Sequence, residues 1–137
     1  MLDRIDIHIE VPSVDYEKLS SDRMGESSEM IRAHVQTARD IQNKRFENGE
    51  AKDIICNADM RVGEVRQFCR LQAEGAGLSP SKHQSLMRAA MSQLNLSARA
   101  YHRILKLSRT IADLAGSEEI QSAHLAEALQ YRPKIMM

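Results

Sequence analysis

A helix predicted between Ser97 and Gly116 carries three basic side chains that could contact phosphate. Arg99, Arg103 and Lys106 follow one another at steps of four and three residues, so they share one polar face opposite an apolar stripe. Arg99 falls in the first turn, where the helix dipole and unpaired N–H groups suit an anion and a cation costs about 0.3–1 kcal/mol unless neutralised. The spacing allows two interpretations: a solvated basic face, or a phosphate contact at Arg99 with Arg103 as a further candidate.

The motifs that bind and cleave a nucleotide are missing from the sequence. It has no GxxxxGKS or GxxxxGKT loop and no apolar strand ending in paired acidic residues that could hold magnesium. Strand alternation accounts for Asp6 and His8 on one polar face, and no further ligand has the spacing of a metal site. No nucleophile, base and orienting residue form a readable motif. We therefore expect neither catalysis nor a metal site in this chain alone.

The first twelve residues have the pattern of a β-strand. Apolar residues alternate with polar ones at Ile5, Ile7, Ile9 and Val11. A lone strand cannot satisfy its backbone hydrogen bonds, and no comparable second strand follows in the sequence. Residues 1–12 are therefore predicted to be a strand of a sheet in a larger domain. Residues 13–26 are polar with a single glycine and are interpreted as a linker.

The remaining residues, 27–137, have the periodicity of amphipathic helices. Helices are predicted over residues 27–46, 62–71, 80–94, 97–116 and 122–130. Ser27 and Ser97 suit N-caps, Ser79-Pro80 suits a helix start, and Asn95 suits a helix end. The sequence thus predicts an all-α fold, a bundle of about four to five helices preceded by a single orphan β-strand.

Few aromatic residues are available for the core. They make up 4% of the chain, so aliphatic side chains and the 8 methionines must fill it. On the first long helix, Ile31, Val35 and Ala38 lie on one side. Core packing is also favoured over partner binding for Met24, Met30, Met60, Met87 and Met91. A stripe that binds nucleic acid could be formed by Arg39, Gln42, Lys44 and Arg45. A solvated helix face is favoured because Asp40 and Glu47 interrupt the stripe and no exposed aromatic residues supply stacking.

Composition limits the classes of function. The chain of 137 residues is long enough for one domain, and its 19 basic and 19 acidic residues produce no overall field towards nucleic acid or membrane. Cys56 and Cys69 lack the spacing of a zinc site or a disulfide scaffold. No leader pattern and no membrane-length apolar run occur in the sequence. We expect a cytoplasmic location and no membrane partner.

Five blocks of sequence carry a family resemblance. They are LDRIDIHIEVP at residues 2–12, GESS at 25–28, LSARAYHRIL at 96–105, RTIADL at 109–114 and AHLAEALQYR at 123–132. In these blocks the chain resembles the magnesium-chelatase-related AAA+ ATPases of the YifB/ComM group. The resemblance implies a ring, usually hexameric, in which ATP and Mg²⁺ lie between a core and its lid, at the edge of the neighbouring subunit. Residues 1–12 would then be the last strand of a truncated core, and residues 27–137 the C-terminal helical lid.

The same resemblance implies roles for two arginines. Arg4, in the LDRID block, matches an arginine finger that reaches the γ-phosphate in the adjacent subunit. Arg99 matches the sensor-2 arginine at the start of a lid helix. A guanidinium suits both positions because its planar fork pairs with phosphate oxygens and stabilises the charge of phosphoryl transfer.

The resemblance further implies a role in DNA processing during natural transformation. The expected function is the nucleotide-sensing lid of a branch-migrating helicase, with ATP and Mg²⁺ bound only by the full-length protein. Its expected partners are its own core, the neighbouring subunit of a homo-oligomeric ring and, for the full-length protein, DNA. Two alternatives remain open: a self-standing helical module that binds DNA or protein, and a parent that is a metal-chelatase ATPase subunit.

Overall fold

The computed structural model of the chain describes residues 4–47, 49, 53–70 and 82–132, except for the side chains of residues 82 and 83. Six α-helices and a short internal 3₁₀ helix lie in these ranges, and none of their residues forms a strand. The α-helices are α1 (Tyr16–Leu19), α2 (Ser28–Glu47), α3 (Val62–Phe68), α4 (Lys82–Gln93), α5 (Ala98–Leu114) and α6 (Ser122–Gln130), and the 3₁₀ helix is Asn57–Asp59. The predicted all-α class is confirmed.

Local capping explains where the helices begin and end. The Ser97 hydroxyl accepts a hydrogen bond from the Ala100 backbone N–H at 3.1 Å, and Ser27 caps α2 through the N–H of Met30 at 3.3 Å. Asn95, with a φ of 50°, lies in the left-handed conformation that follows many helix ends. These sequence predictions are confirmed. The predicted start at Ser79-Pro80 lies outside the described residues.

Helix α5 is the centre of the bundle. It packs against α2, α3, α6 and the 3₁₀ helix. Its inner face is buried as the predicted stripe requires, with Ala100, Ile104, Leu105 and Ala112 in the core. Ile104 packs with Leu125 of α6, while Leu105 lies in a second cluster with residues of the 54–69 region. Because α5 packs against four other elements, its polar face has a fixed position in the described fold.

The predicted inner face of α2 is correct for one of its three residues. Ala38 is buried, as are Gln42 and Phe46 one and two turns later, but Ile31 and Val35 are 47% and 44% exposed. No residue from 28 to 37 is buried by the part of the chain that the structure describes. The helical period was correctly identified, whereas the length of helix covered by neighbours depends on tertiary packing.

The methionine prediction divides in the same way. Met60 and Met87 are buried and Met91 packs against the core, but Met24 and Met30 are exposed. The last two lie at the exposed beginning of α2 or just before it. For these two residues the assignment to the core was wrong, because no described element covers that region.

The segment before α2 is exposed over most of its length. Residues 5–15 have no regular secondary structure, and only the short α1 interrupts the predicted linker of residues 13–26. Pairing of residues 1–12 with a sheet in another domain stays a prediction, because its partner strands would lie outside this chain. Within the chain, the His8 backbone N–H donates to the Tyr131 carbonyl at 2.8 Å. This contact joins the segment to the end of α6.

Candidate functional site

The basic face of α5 separates into one exposed arginine and two anchored cations. Arg99 lies in the first turn of α5, is exposed, and makes no hydrogen bond or ion pair with the residues that the structure describes. Arg103 donates to the Asp6 carboxylate at 3.1 Å, and Lys106 donates to the Ala58 carbonyl at 3.3 Å. Of the three predicted cations, Arg99 is the one whose guanidinium is open to an external anion.

Arg4 lies on a different element from Arg99. It is exposed and precedes by two residues the Asp6 carboxylate that pairs with Arg103. The side chain of Arg4 forms no ion pair with a described residue. The structure thus brings the segment that carries Arg4 against α5, and no described contact joins Arg4 directly to Arg99. The roles predicted for Arg4, Arg99 and Arg103 stay predictions.

A buried ionic cluster, which sequence reasoning missed, holds α5 against α2. Arg45 donates to both oxygens of Asp113, at 2.9 and 2.6 Å, and Arg109 donates to the same carboxylate at 3.3 Å. The amide of Asn57 donates to Asp113 at 2.8 Å and its oxygen accepts from Arg45 at 2.9 Å. The backbone N–H of Asn57 donates to Gln42 at 3.0 Å. The cluster ties α2, the 3₁₀ helix and α5 together around one carboxylate.

The arginines of this cluster are committed to the fold. The two terminal nitrogens of Arg109 also donate to the carbonyls of Glu118 and Ser117, at 2.9 and 2.8 Å. Burial lowers the pKa of the Arg109 guanidinium, while the Asp113 carboxylate opposes that shift. The interpretation of Arg45 and Gln42 as part of a solvated face was wrong, because both side chains contact the cluster. The Arg45 and Arg109 guanidinium groups cannot bind a phosphate without losing their bonds to the buried Asp113 carboxylate, whereas the exposed Arg99 guanidinium can.

The two cysteines lie in different surroundings, since Cys69 is buried and Cys56 is half-buried. Burial raises the pKa of the Cys69 thiol from 9.0 to about 11, so the thiol stays protonated at neutral pH. The Cys56 thiol donates to Asp59 at 3.5 Å, and the backbone N–H groups of Ile55 and Cys56 hold the pKa of that carboxyl below its ordinary value. Among the described residues, no three His, Cys, Asp or Glu side chains are grouped so that they could hold a metal ion.

The histidines have local roles that the sequence did not predict. The His34 ring contacts the Leu114 carbonyl at the end of α5 at 2.6 Å, and the His124 ring accepts from the backbone N–H of Gln121 at the start of α6 at 2.9 Å. His34 and His124 also line a groove of about 890 Å³ along α5 and α6, which Ile7 and Ile9 border on the side of the N-terminal segment. The groove is apolar and has no cluster of charged groups suited to a nucleotide. No helix in the described ranges has the length and apolar character to cross a membrane.

The chain belongs to the family described as magnesium chelatase, subunit ChlI C-terminal, whose model matches residues 25–132. This range contains α2 to α6 and both structural clusters, and the N-terminal segment precedes it. Together with the relatives below, the match identifies the C-terminal domain of the YifB/ComM group.

Three curated proteins are similar to nearly the whole length of the chain. The chain is 41% identical to competence protein ComM of Haemophilus influenzae over 138 aligned residues, which cover 99% of this chain and 24% of that protein. It is 37% identical to an uncharacterized protein YifB of Escherichia coli over 132 residues, or 96% of this chain and 23% of that protein. The YifB protein of Salmonella typhimurium is 32% identical over the same share of both chains. The chain therefore spans about a quarter of the length of these relatives.

Proposed function

We propose that this chain is the lid of a AAA+ ATPase and that Arg99 senses the bound nucleotide by contacting its phosphates. The state of Arg99 carries the proposal: its exposed guanidinium lies at the positive end of α5 and has no partner among the described residues. An arginine in that position is stabilised when a phosphate neutralises it. The relatives support the proposal because they are long enough to hold a separate nucleotide-binding core.

The packing of α5 suits a sensor. Ser97 caps the helix next to Arg99, and Ala100 in the same turn is fully buried. A phosphate bound at Arg99 would therefore pull on a helix that is fixed to the rest of the bundle by its core and by the Asp113 cluster. In this proposal nucleotide binding draws the lid towards the core, and hydrolysis releases it.

The other proposed functions, which are nucleotide binding and ring assembly, are assigned to the full-length protein. We propose that ATP and Mg²⁺ bind in its core, that Arg4 acts as an arginine finger in the adjacent subunit, and that the subunits form a cytoplasmic homo-oligomeric ring. The name of the Haemophilus relative, a competence protein, supports DNA processing as the task of the ring.

The experiment is a comparison of ATP hydrolysis by full-length variants. Arg99→Ala removes a charge-assisted contact to phosphate, so we expect kcat/KM for ATP to fall by about 10- to 100-fold. Arg99→Lys keeps the charge without the planar fork and is expected to recover part of the loss. Arg39→Ala, at an exposed position on α2, is the matched control and should leave turnover unchanged. Unchanged ATP turnover and affinity in Arg99→Ala would refute the sensor role.

A binding assay tests the alternative of a self-standing DNA-binding module. The isolated chain is titrated with branched and single-stranded DNA at several salt concentrations. Because charges are balanced overall, and Arg45 and Arg109 are both paired with Asp113, we expect no tight binding. Tight, salt-dependent binding would favour the module over the lid.

A further inference from the structure

An ion pair joins the two elements that carry the proposed phosphate-contacting arginines. Asp6, on the N-terminal segment, accepts a hydrogen bond from Arg103 of α5 at 3.1 Å, and the side chains are 48% and 27% exposed. Arg4 lies two residues before Asp6, and Arg99 lies one helical turn before Arg103. Each member of the pair therefore lies close in sequence to one of the proposed functional residues: Asp6 to Arg4, and Arg103 to Arg99.

Few other contacts fix the N-terminal segment. The His8 backbone N–H donates to the Tyr131 carbonyl at 2.8 Å, and the His8 ring contacts the same oxygen at 3.3 Å. Ile7 and Ile9 border the groove along α5 and α6 but stay about half or more exposed. Both backbone and ring contacts of His8 hold the segment at the end of α6. Asp6 accepts a hydrogen bond from Arg103, which lies on the same face of α5 as Arg99.

We propose that Asp6 is a positioning residue, which holds Arg4 at a fixed place relative to α5 through its ion pair with Arg103. The inference rests on the proposed function, because it assumes that Arg4 contacts nucleotide. Without the pair, the segment samples more orientations relative to α5, and its arginine reaches the phosphate less often. In this assignment Arg103 acts through Asp6 and does not itself contact the nucleotide.

Hydrogen exchange of the present chain tests the docking step independently of ATP. Asp6→Asn removes the carboxylate charge, so the His8 amide, which donates to Tyr131, should exchange faster than in the unmodified chain. Glu10→Gln is the matched control, since Glu10 is an exposed carboxylate on the same segment and makes no ion pair with a described residue. Equal exchange rates in Asp6→Asn and Glu10→Gln would overturn the proposal.

Steady-state kinetics of the full-length protein test the positioning role. Asp6→Asn and Arg103→Ala should each lower kcat by about two- to fivefold, the effect of an exposed ion pair, without a change in the KM for ATP. The double variant should lose no more than either single variant. The exchanged pair Asp6→Arg with Arg103→Asp should restore most of the loss. A merely structural pair would also be restored by the exchange, so the positioning role additionally requires that kcat falls in the single variants while their unfolding free energy and the KM for ATP stay unchanged.

The outcomes separate the two proposals. A higher KM in Arg103→Ala, with no rescue by the exchanged pair, would mean that Arg103 contacts nucleotide directly and would overturn the positioning role. If Arg4→Ala impairs turnover and Asp6→Asn does not, the positioning role alone is refuted. If Arg4→Ala and Arg99→Ala both leave turnover unchanged, the proposed function is refuted and the positioning role with it.

Discussion

Replacing Asp113 by asparagine tests whether one carboxylate holds the bundle together. The Asp113 side chain is 0% exposed, and its partners Arg45 and Arg109 are 13% and 5% exposed. Asp113→Asn keeps the shape of the side chain but removes its charge, so two guanidinium groups in the interior lose their counter-ion. An amide also cannot accept on both sides, so one of the bonds to Arg45 is lost.

The expected loss of stability is large for a domain of this size. Removing one partner of a buried ion pair costs about 3–5 kcal/mol because the remaining charge stays buried and uncompensated. A domain whose unfolding free energy is about 5–15 kcal/mol would lose about a fifth or more of it. Urea unfolding followed by far-ultraviolet circular dichroism measures the difference directly.

The chain contains its own control for this experiment. Asp53 pairs with Arg61, but these side chains are 63% and 64% exposed. Asp53→Asn should therefore change the unfolding free energy by about 0–1 kcal/mol. If Asp113→Asn costs less than about 1 kcal/mol, the cluster contributes no more than a surface pair and the reasoning from burial is wrong.

Two further measurements follow from the local structure. Ser97→Ala removes the hydroxyl that caps α5 and should lower the unfolding free energy by about 1 kcal/mol. Ser97→Asp should retain most of the stability, because a carboxylate can also accept the bond. An unfolding free energy that is unchanged in Ser97→Ala, measured with urea, would contradict the cap. Because burial raises the pKa of Cys69 from 9.0 to about 11, its thiol should resist alkylation at pH 8, and rapid labelling of folded Cys69 at that pH would contradict its burial. The neutral thiol should contribute stability below pH 9, and this contribution should be lost as the pH rises towards 11.

Local sequence signals predicted the helices well. The predicted boundaries of α5 and α6 differ from the observed ones by two residues or fewer, because Ser97 caps α5 and the apolar period is strong in both helices. The polar face of α5 and the exposure of Arg99 in its first turn also follow from spacing alone. These features depend on contacts within a few residues along the chain.

Features that depend on distant contacts were not predicted. Asp113 and Arg109 have the spacing of an ordinary surface pair on a helix, and only the approach of Arg45, 68 residues earlier in the sequence, turns them into a buried cluster. The pairing of Asp6 with Arg103 spans 97 residues and left no local signal either. Residue spacing shows on which face of a helix a charge lies, but it does not show which elements of the fold that face contacts.

The uneven packing of α2 has a consequence for its local stability. Its last three turns hold Ala38, Gln42 and Phe46 in the interior, whereas the turns from residue 28 to 37 bury no side chain in the described structure. We expect amide protection to rise along the helix, from rapid exchange at the first turns to exchange limited by global unfolding near Phe46. Helix α2 would then unwind from its beginning, so the point where the preceding segment joins the folded domain is not a single residue but a range of several turns.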